Sequence, residues 1–484
     1  MTVSRIIRHP ILDFKRGKKS FFYIEDKLIE AYENESVLAA LYANGIRIFS
    51  QSRILERPRG AFCLIGKCSS CLMEVDGIPN TRICITLAKN VKKVRYQESP
   101  ASPPRTSFFT AKKPRKISTD VLVIGSGPAG LYAAIYASKY GANVILVDEN
   151  PTIGGQLIKQ THKFFGSKDL YSGIRGFEIA KKLAEILYQR KNVKFLTNTT
   201  VFGLYSGRLA GAYHLRRKQL LKIRAKQIIV ATGASERFLV FENNDLPGVI
   251  GAGAAQTLMN VYGVKPGEKA LMVGAGNVGL IVSYQLIQAG VKVVAIVEAM
   301  PRIGGYLVHA AKVRRLGVPI YISHTIKSAH GKEKVEGATI IALDNEFREI
   351  PGTEKYLEVD LICLAVGLNP YSQLLSQAGC EMVYVPELGG LVPKRTRYQE
   401  TTISGIYVAG DVSGIEEAST AMLEGGIAGI SAALKITGNN EKALNEREEM
   451  LEKLEKIRAG RFFERIRKGL KKVLIDERCG NSTY

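Results

Sequence analysis

Short apolar runs closed by glycine or an acid punctuate this chain, and stretches of helical period follow several of them. Residues 21–24 (FFYI) predict a strand. Ser36 is placed to cap an apolar helix that starts at Val37, runs through Leu41 and ends near Gly45. Residues 72–75 predict another strand, turned by Asp76 and Gly77. A strand at 120–124, a helix to Tyr140 and a strand at 144–147 ending at Asp148 then make one β–α–β unit. The same order returns with a strand at 269–273, a helix to Ala289 and a strand at 291–297 ending at Glu298. Further apolar strands lie at 228–233 (IIVATG), 362–367 (ICLAVG) and 406–411 (IYVAGD). Residues 441–475 are charged but carry an apolar stripe at helical spacing: Leu451, Leu454, Ile457, Phe462, Ile466, Leu470 and Leu474. That stripe predicts a terminal helix packed on its own domain, with a partner-docking or oligomer helix as the alternative.

The pattern divides the chain into an N-terminal domain at 1–98 and a Pro-, Ser- and Lys/Arg-rich linker at 99–116. One nucleotide-type fold follows at 117–240 and 371–434, with a second inserted at 241–370 and a charged helical segment at 435–484. A length of 484 residues suits that number of domains, and 46% hydrophobic with 23% charged residues is ordinary for a globular chain. The net charge of +23 points to anionic partners, and the excess is densest in the first 116 residues. No helix-turn-helix, zinc-finger or RNA-binding signature accompanies it, so a solvated basic face or an acidic protein partner is expected and nucleic acid is not. The most apolar stretch, 270–287, is interrupted by Gly274, Gly276 and Gly279, so no membrane span is expected. With no signal-peptide core at the N-terminus, the expectation is a cytoplasmic protein.

Four of the seven cysteines fall in one window: Cys63, Cys68 and Cys71 in C-x4-C-x2-C spacing, then Cys84. Such clustering argues for a metal centre and against a disulfide framework. Two irons bridged by sulfides need four converging thiolates, and small residues (Gly66, Ser69, Ser70) let the backbone wrap them. The spacing of the first three matches the plant-type ferredoxin loop, so [2Fe–2S] is expected, with a structural zinc site as the alternative. Cys363 and Cys380 read as structural.

The strand at 120–124 leads into Gly125-Ser126-Gly127-Pro128-Ala129-Gly130, and Asp148 follows at the end of the next strand. A G-x-G-x-x-G turn lets a pyrophosphate approach a helix N-terminus, and the acid meets ribose hydroxyls. The second copy is Gly274-Ala275-Gly276-Asn277-Val278-Gly279 with Glu298. Ala299 and Met300 follow Glu298, so no adjacent arginine awaits a 2′-phosphate, which favours NAD over NADP. A fold that has lost its nucleotide is the alternative reading of this second copy. No paired-carboxylate or Ser/His/Asp arrangement stands out, and the six histidines form no cluster.

Taken in chain order, these segments resemble the glutathione- and thioredoxin-reductase superfamily of two-dinucleotide-binding-domain flavoproteins. The implied fold is α/β: nested Rossmann-like folds preceded by an α+β, β-grasp, ferredoxin-like domain. The resemblance implies that Asp411, after Gly410, binds the ribityl chain of FAD. The segment Gly154, Gly155, Gln156 and Leu157 likewise resembles the flavin-side loop of the superfamily, and IIVATG, ending in Thr232 and Gly233, suits a crossing point near a bound nucleotide. No C-x-x-C or C-x4-C lies in the flavin domain, so a disulfide reductase is not expected. The run 246–258 (LPGVIGAGAAQTL) resembles the α-type subunits of heteromeric amine and imino-acid oxidoreductases, the sarcosine oxidase, dye-linked proline dehydrogenase, opine oxidase and hydrogen cyanide synthase family. That resemblance implies an electron-relay subunit beside a glycine-oxidase-like, β-type FAD subunit that oxidises the amine. It implies FAD or another adenine nucleotide in the first fold, NAD in the second, FMN at a subunit interface, and a one-electron acceptor protein or dye. Two other functions compete with it: a self-sufficient NADH-dependent flavin and iron–sulfur oxidoreductase, and a nucleotide-binding scaffold. The long C-terminal aminomethyltransferase-like domain of sarcosine oxidase α subunits is lacking, which weighs against sarcosine oxidase itself.

Overall fold

In the computed structural model the described residues are 4–97, 113–164 and 167–476. The chain forms two units, one joining Met1–Ser107 to Glu236–Gly367 and the other joining Phe108–Ser235 to Leu368–Tyr484. The sequence-predicted linker falls mostly outside the described residues, and the seventh cysteine, Cys479, lies outside them too.

The first unit opens with a five-stranded mixed sheet in the order Lys27–Tyr32, Lys19–Ile24, Lys93–Arg95, Leu72–Val75, Ile78–Arg82. The helix Val37–Ala43 is buried along its whole length, and Ser36 caps it by accepting the Ala39 N–H at 3.1 Å. Asp76 and Gly77 turn the hairpin with positive φ of 48° and 78°. In the same unit a parallel sheet runs Val249–Gly251, Leu361–Leu364, Lys269–Val273, Lys292–Glu298, Ile320–Ile322, with the helix Asn277–Gln288 against it. These two parts share one core: Leu38, Leu41 and Phe49 belong to the same apolar cluster as Leu258, Met259 and Met272. Backbone joins them as well. The Gly251 N–H donates to the Phe62 carbonyl at 3.0 Å, and Arg57 pairs with Asp245 at 2.7 Å.

The second unit is built on a sheet in the order Val193–Leu196, Val144–Val147, Arg115–Ile124, Gln219–Val230, Leu209–His214, Thr199–Tyr205, and Ile406–Val408 also pairs with Gln219–Val230. The strand expected at 120–124 starts earlier, at Arg115, because Leu221–Val230 continues beside it as a parallel ribbon. It therefore takes in the last two positions assigned to the linker. The helices Pro128–Lys139 and Ala418–Thr437 pack face to face through small residues. An added Cβ at Gly425 would sit 2.0 Å from the Ala129 carbonyl, so only glycine permits that approach.

The C-terminal stripe does not form one helix. Glu441–Arg458 is helical and buries Ala443, Met450, Leu451 and Leu454, in the apolar cluster that also holds Met422 and Ile430 of Ala418–Thr437. The helix stops at Ala459 and Gly460, where Arg467 donates to the Arg458 and Gly460 carbonyls from the short helix Glu464–Leu470. Leu470 and Val473 then pack on Val385, Leu388 and Val392, while Phe462 and Leu474 are exposed. The segment is thus packed mainly on its own unit.

Candidate functional site

Three cradles emerge, two in the first unit and one in the second. The first is the cysteine loop. Left-handed turns at Leu64, Gly66 and Ser69 fold residues 63–71 back on themselves. The N–H groups of Ile65, Lys67 and Cys68 all point at the Cys63 sulfur, at 3.5, 3.4 and 3.4 Å. The hairpin pairs Leu72 with Arg82 and so returns Cys84 beside Cys71. The four thiols form two hydrogen-bonded pairs, Cys63 with Cys68 and Cys71 with Cys84. Hydrogen bonds from their partners pull the Cys68 and Cys71 thiols below the usual range. Among the described residues no three His, Cys, Asp or Glu side chains are grouped to hold one ion. Two pairs of sulfurs, with amides aimed at one of them, fit a two-iron centre held by two thiolates per iron.

The other two cradles are built alike. Gly125 and Gly274 would each drive a Cβ into the carbonyl of a neighbouring strand end, 2.3 Å from Ala231 O and 2.4 Å from Ala365 O. Gly130 and Gly279 let the helix start lie on the turn, where a Cβ would meet the first glycine's carbonyl at 1.8 and 2.0 Å. At Gly127 and Gly276 a Cβ would meet nothing within 4 Å, leaving room for a pyrophosphate over an N-terminus that no side chain caps. Pro128 fills the first helical position of one helix and Asn277 that of the other. The middle glycine of each loop also meets a second glycine pair. A Cβ at Gly155 would lie 2.6 Å from Gly127 Cα, and one at Gly305 would lie 2.9 Å from the Gly276 carbonyl carbon. Gly304 and Gly305 were missed from the sequence. The signal was present, since 151–157 (PTIGGQL) and 301–307 (PRIGGYL) repeat Pro-x-Ile-Gly-Gly-x-Leu at the same place in each fold.

The acids differ. Asp148 is buried, and its two oxygens accept from Ser126 N (2.8 Å), Ser126 Oγ (2.5 Å), Asn150 N (2.8 Å) and Asn150 Nδ2 (3.0 Å). A carboxylate offers about four acceptor positions, so its own chain fills them. Glu298 is half-buried and accepts from Ala275 N at 2.8 Å and Met300 N at 3.0 Å, which leaves acceptor capacity for a ribose.

The remaining predicted residues gather around the cradle of the second unit. Thr232 lies against Gly125, and its hydroxyl donates to the Tyr371 carbonyl at 2.8 Å. Gly233 accepts the Tyr371 N–H. Leu157 is buried, whereas Gln156 is exposed, as is Val278 in the cradle of the first unit. Gly410 brings the turn that carries Asp411 onto Ala129, where a Cβ would be 2.9 Å from the alanine's own Cβ. Burial pushes the Asp411 carboxyl up to about 7, the nearby Glu416 and Glu424 add to the rise, and the Glu416 N–H opposes it. Glycine loop, open helix N-terminus and an acid beside the helix start fit a flavin dinucleotide. Cys363 and Cys380 are both buried, with thiols raised by that burial. Among the described residues of the second unit, Cys380 is the one cysteine. No helix among the described residues is long and apolar enough to cross a membrane.

Comparison with known proteins agrees with these cradles. The pyridine nucleotide-disulphide oxidoreductase family matches residues 119–425, and a 2Fe-2S iron-sulfur cluster binding domain matches residues 18–99. Together the matches support FAD and [2Fe–2S] as cofactors. The alpha subunit of sarcosine oxidase from Corynebacterium sp. is 28% identical over 88% of this chain and 44% of its own length. An opine oxidase subunit from Agrobacterium tumefaciens is 28% identical over 65% of each chain. L-proline dehydrogenase from P. horikoshii superposes with a TM-score of 0.68 at 27% identity, covering 92% of this chain and 79% of the other. Thioredoxin reductase from T. acidophilum shares the fold, with a TM-score of 0.54 over 66% of this chain and 98% of its own. The chain spans less than half the length of the sarcosine oxidase polypeptide it matches. The resemblance to α-type subunits is borne out by these relatives.

Proposed function

We propose, from the premise that this chain belongs to the pyridine nucleotide-disulphide oxidoreductase family, that it is the electron-relay subunit of a flavin-dependent amine or imino-acid oxidoreductase. The observation that carries the reading is the presence on one chain of a flavin-type cradle and two facing pairs of cysteines. Flavin, when bound, converts a two-electron input into single electrons, and a [2Fe–2S] centre accepts them singly. In this reading Cys63, Cys68, Cys71 and Cys84 hold the cluster, and the amides of residues 65, 67 and 68 stabilise its sulfur ligands. Gly125, Gly127, Pro128, Ala129 and Gly130 seat the pyrophosphate of FAD. Asp148 fixes the loop through Ser126, and Asp411 takes the ribityl chain. Gly155, Gln156, Leu157, Thr232 and Gly233 complete the wall of that site.

The substrate is a secondary amine or imino acid of the proline, sarcosine or opine kind, oxidised on a glycine-oxidase-like partner. FMN lies at the interface with that partner, and a one-electron acceptor protein or dye takes the electrons. Relatives that are themselves named subunits support the need for a partner. Four cysteines reserved for a cluster, with Cys363 and Cys380 as buried thiols, suit a reducing compartment, and we place the protein in the cytoplasm.

A second reading is favoured by Glu298. Its spare acceptor capacity beside an open phosphate loop, Gly274, Gly276, Asn277, Val278 and Gly279, suits NADH, and an NADH site would make the chain an oxidoreductase in its own right. An anaerobic visible spectrum titrated with NADH and then dithionite separates the two. The relay reading expects flavin and cluster bands that dithionite bleaches and NADH leaves unchanged. Bleaching of the flavin by NADH in the isolated chain overturns it in favour of the second.

A further inference from the structure

The helix Glu441–Arg458 ends on an arginine whose side chain is largely buried. The Arg458 Nη2 donates to Glu416 Oε1 at 2.5 Å and to Glu424 Oε1 at 2.6 Å, and its Nε donates to Glu416 Oε2 at 3.0 Å. The three side chains are 12%, 5% and 3% exposed. Glu424 uses its other oxygen on the turn itself: Oε2 accepts the Gly410 N–H at 2.9 Å and the Ser413 hydroxyl at 2.8 Å. Arg395, which is fully buried, donates to the Ser413 carbonyl at 3.0 Å and faces Glu424 Oε1 at 3.5 Å.

We infer that Arg458 is a positioning residue of the flavin site, fixing the Gly410–Ser413 turn through Glu424 and so making the C-terminal helix part of that site. This rests on the proposal that Asp411 meets the flavin. A helix anchor alone could end on any carboxylate of the unit. This one ends on the carboxylate whose second oxygen holds the Gly410 backbone and the Ser413 hydroxyl, on either side of Asp411. The charge balance is close: Asp411, Glu416 and Glu424 are three buried or half-buried acids set against two guanidiniums. Removing Arg458 leaves like charges a few ångströms apart in a poorly solvated site, where one of them must take up a proton or draw in water. Protonation of Glu424, or water drawn in beside it, weakens the charge-assisted hydrogen bonds that its carboxylate accepts from Gly410 and Ser413. Lysine restores the charge but cannot bridge two carboxylates with a planar fork.

The relation is reciprocal. If the helix holds the turn for the flavin, bound flavin must hold the helix. The experiment uses the full chain, stripped of flavin and titrated with FAD, for the wild type, Arg458→Gln, Arg458→Lys and the double variant Arg458→Gln/Glu416→Gln. Flavin fluorescence gives the affinity, visible circular dichroism the flavin environment, and hydrogen exchange the protection of residues 441–458. The expected result is FAD binding at least tenfold weaker in R458Q with altered flavin dichroism, partial rescue in R458K and in the double variant, and unchanged iron–sulfur bands. In the wild type, FAD should raise protection across 441–458. Affinity within twofold of wild type with unchanged dichroism in R458Q overturns the inference and reduces Arg458 to an anchor. If R458Q does not fold, hydrogen exchange on the wild type decides, and protection of 441–458 indifferent to FAD overturns it. A wild-type chain that binds no FAD instead overturns the flavin assignment on which the inference stands.

Discussion

The two phosphate cradles have nearly the same backbone and differently committed acids. Both use a glycine against a strand-end carbonyl, an open middle glycine and a Pro-x-Ile-Gly-Gly-x-Leu loop closing over it. In the second unit, however, Asp148 is short, buried and occupied by Ser126 and Asn150. In the first, Glu298 is one methylene longer, half-buried and only partly occupied. A repeated cradle can therefore keep its shape while its acid differs in how far the chain's own donors occupy it. In the proposed reading Asp411 is the acid of that unit that meets the cofactor.

That contrast can be broken by four measurements, the largest effect first. Gly130→Ala and Gly279→Ala each push a methyl onto a backbone carbonyl, which should cost about 3 kcal/mol or more in the unit concerned. Denaturant unfolding with FAD and NADH titrations should show G130A losing FAD binding and G279A leaving it intact. Loss of FAD in both would mean that the cradles are not independent. Next, Asp148→Asn should act on stability, at roughly 2–3 kcal/mol, because an amide turns one acceptor into a donor facing N–H groups. Glu298→Gln should cost less stability and instead weaken NADH about tenfold if that fold binds it, an effect on the order of 1.4 kcal/mol. Equal effects on stability from the two substitutions would erase the distinction.

Asp411 supplies the third test. Its carboxyl is raised to about 7 in the folded chain, so the folded state holds a proton that the unfolded state releases from about pH 4 upward. Flavin-free protein should therefore lose stability as the pH rises from about 4 to about 7, and D411N should flatten that slope. Melting temperatures at intervals across that range report it, and parallel curves for wild type and D411N would refute it. The smallest effect is expected for Asn150→Ala. It removes one of four donors from Asp148 and should cost about 1 kcal/mol, while returning one acceptor position to the site. No change in adenine-nucleotide affinity in N150A would indicate that this position is not what limits ribose binding.

Much of this is legible in the sequence because it is local. A glycine turn, the strand before it and the acid at the end of the next strand lie within one β–α–β unit, and their spacing carries the geometry. The C-x4-C-x2-C loop is likewise continuous, and its fourth member returns on a two-residue turn. What stays hidden is non-local. The network of Arg395, Glu416, Glu424 and Arg458 joins residues 34 and 42 positions apart along the chain, and no periodicity marks such pairs. The stripe at 441–475 predicts packing on its own unit, as found, but gives no sign of its break at Gly460. That break depends on Arg467 capping from the following helix. The saturation of Asp148 is also invisible, since Ser126 and Asn150 look like ordinary loop residues until their side chains turn inward.

The shared core of the first unit ties the cysteine loop to the nucleotide fold beside it. Phe62, next to the first cysteine, accepts the amide of Gly251 at the start of the helix Ala252–Gln256, and Gly60 lies where a Cβ would touch Pro247 Cα at 2.9 Å. The cysteine loop is thus part of the wall of the second nucleotide fold. Loosening of the cysteine loop would therefore take packing contacts from that fold as well.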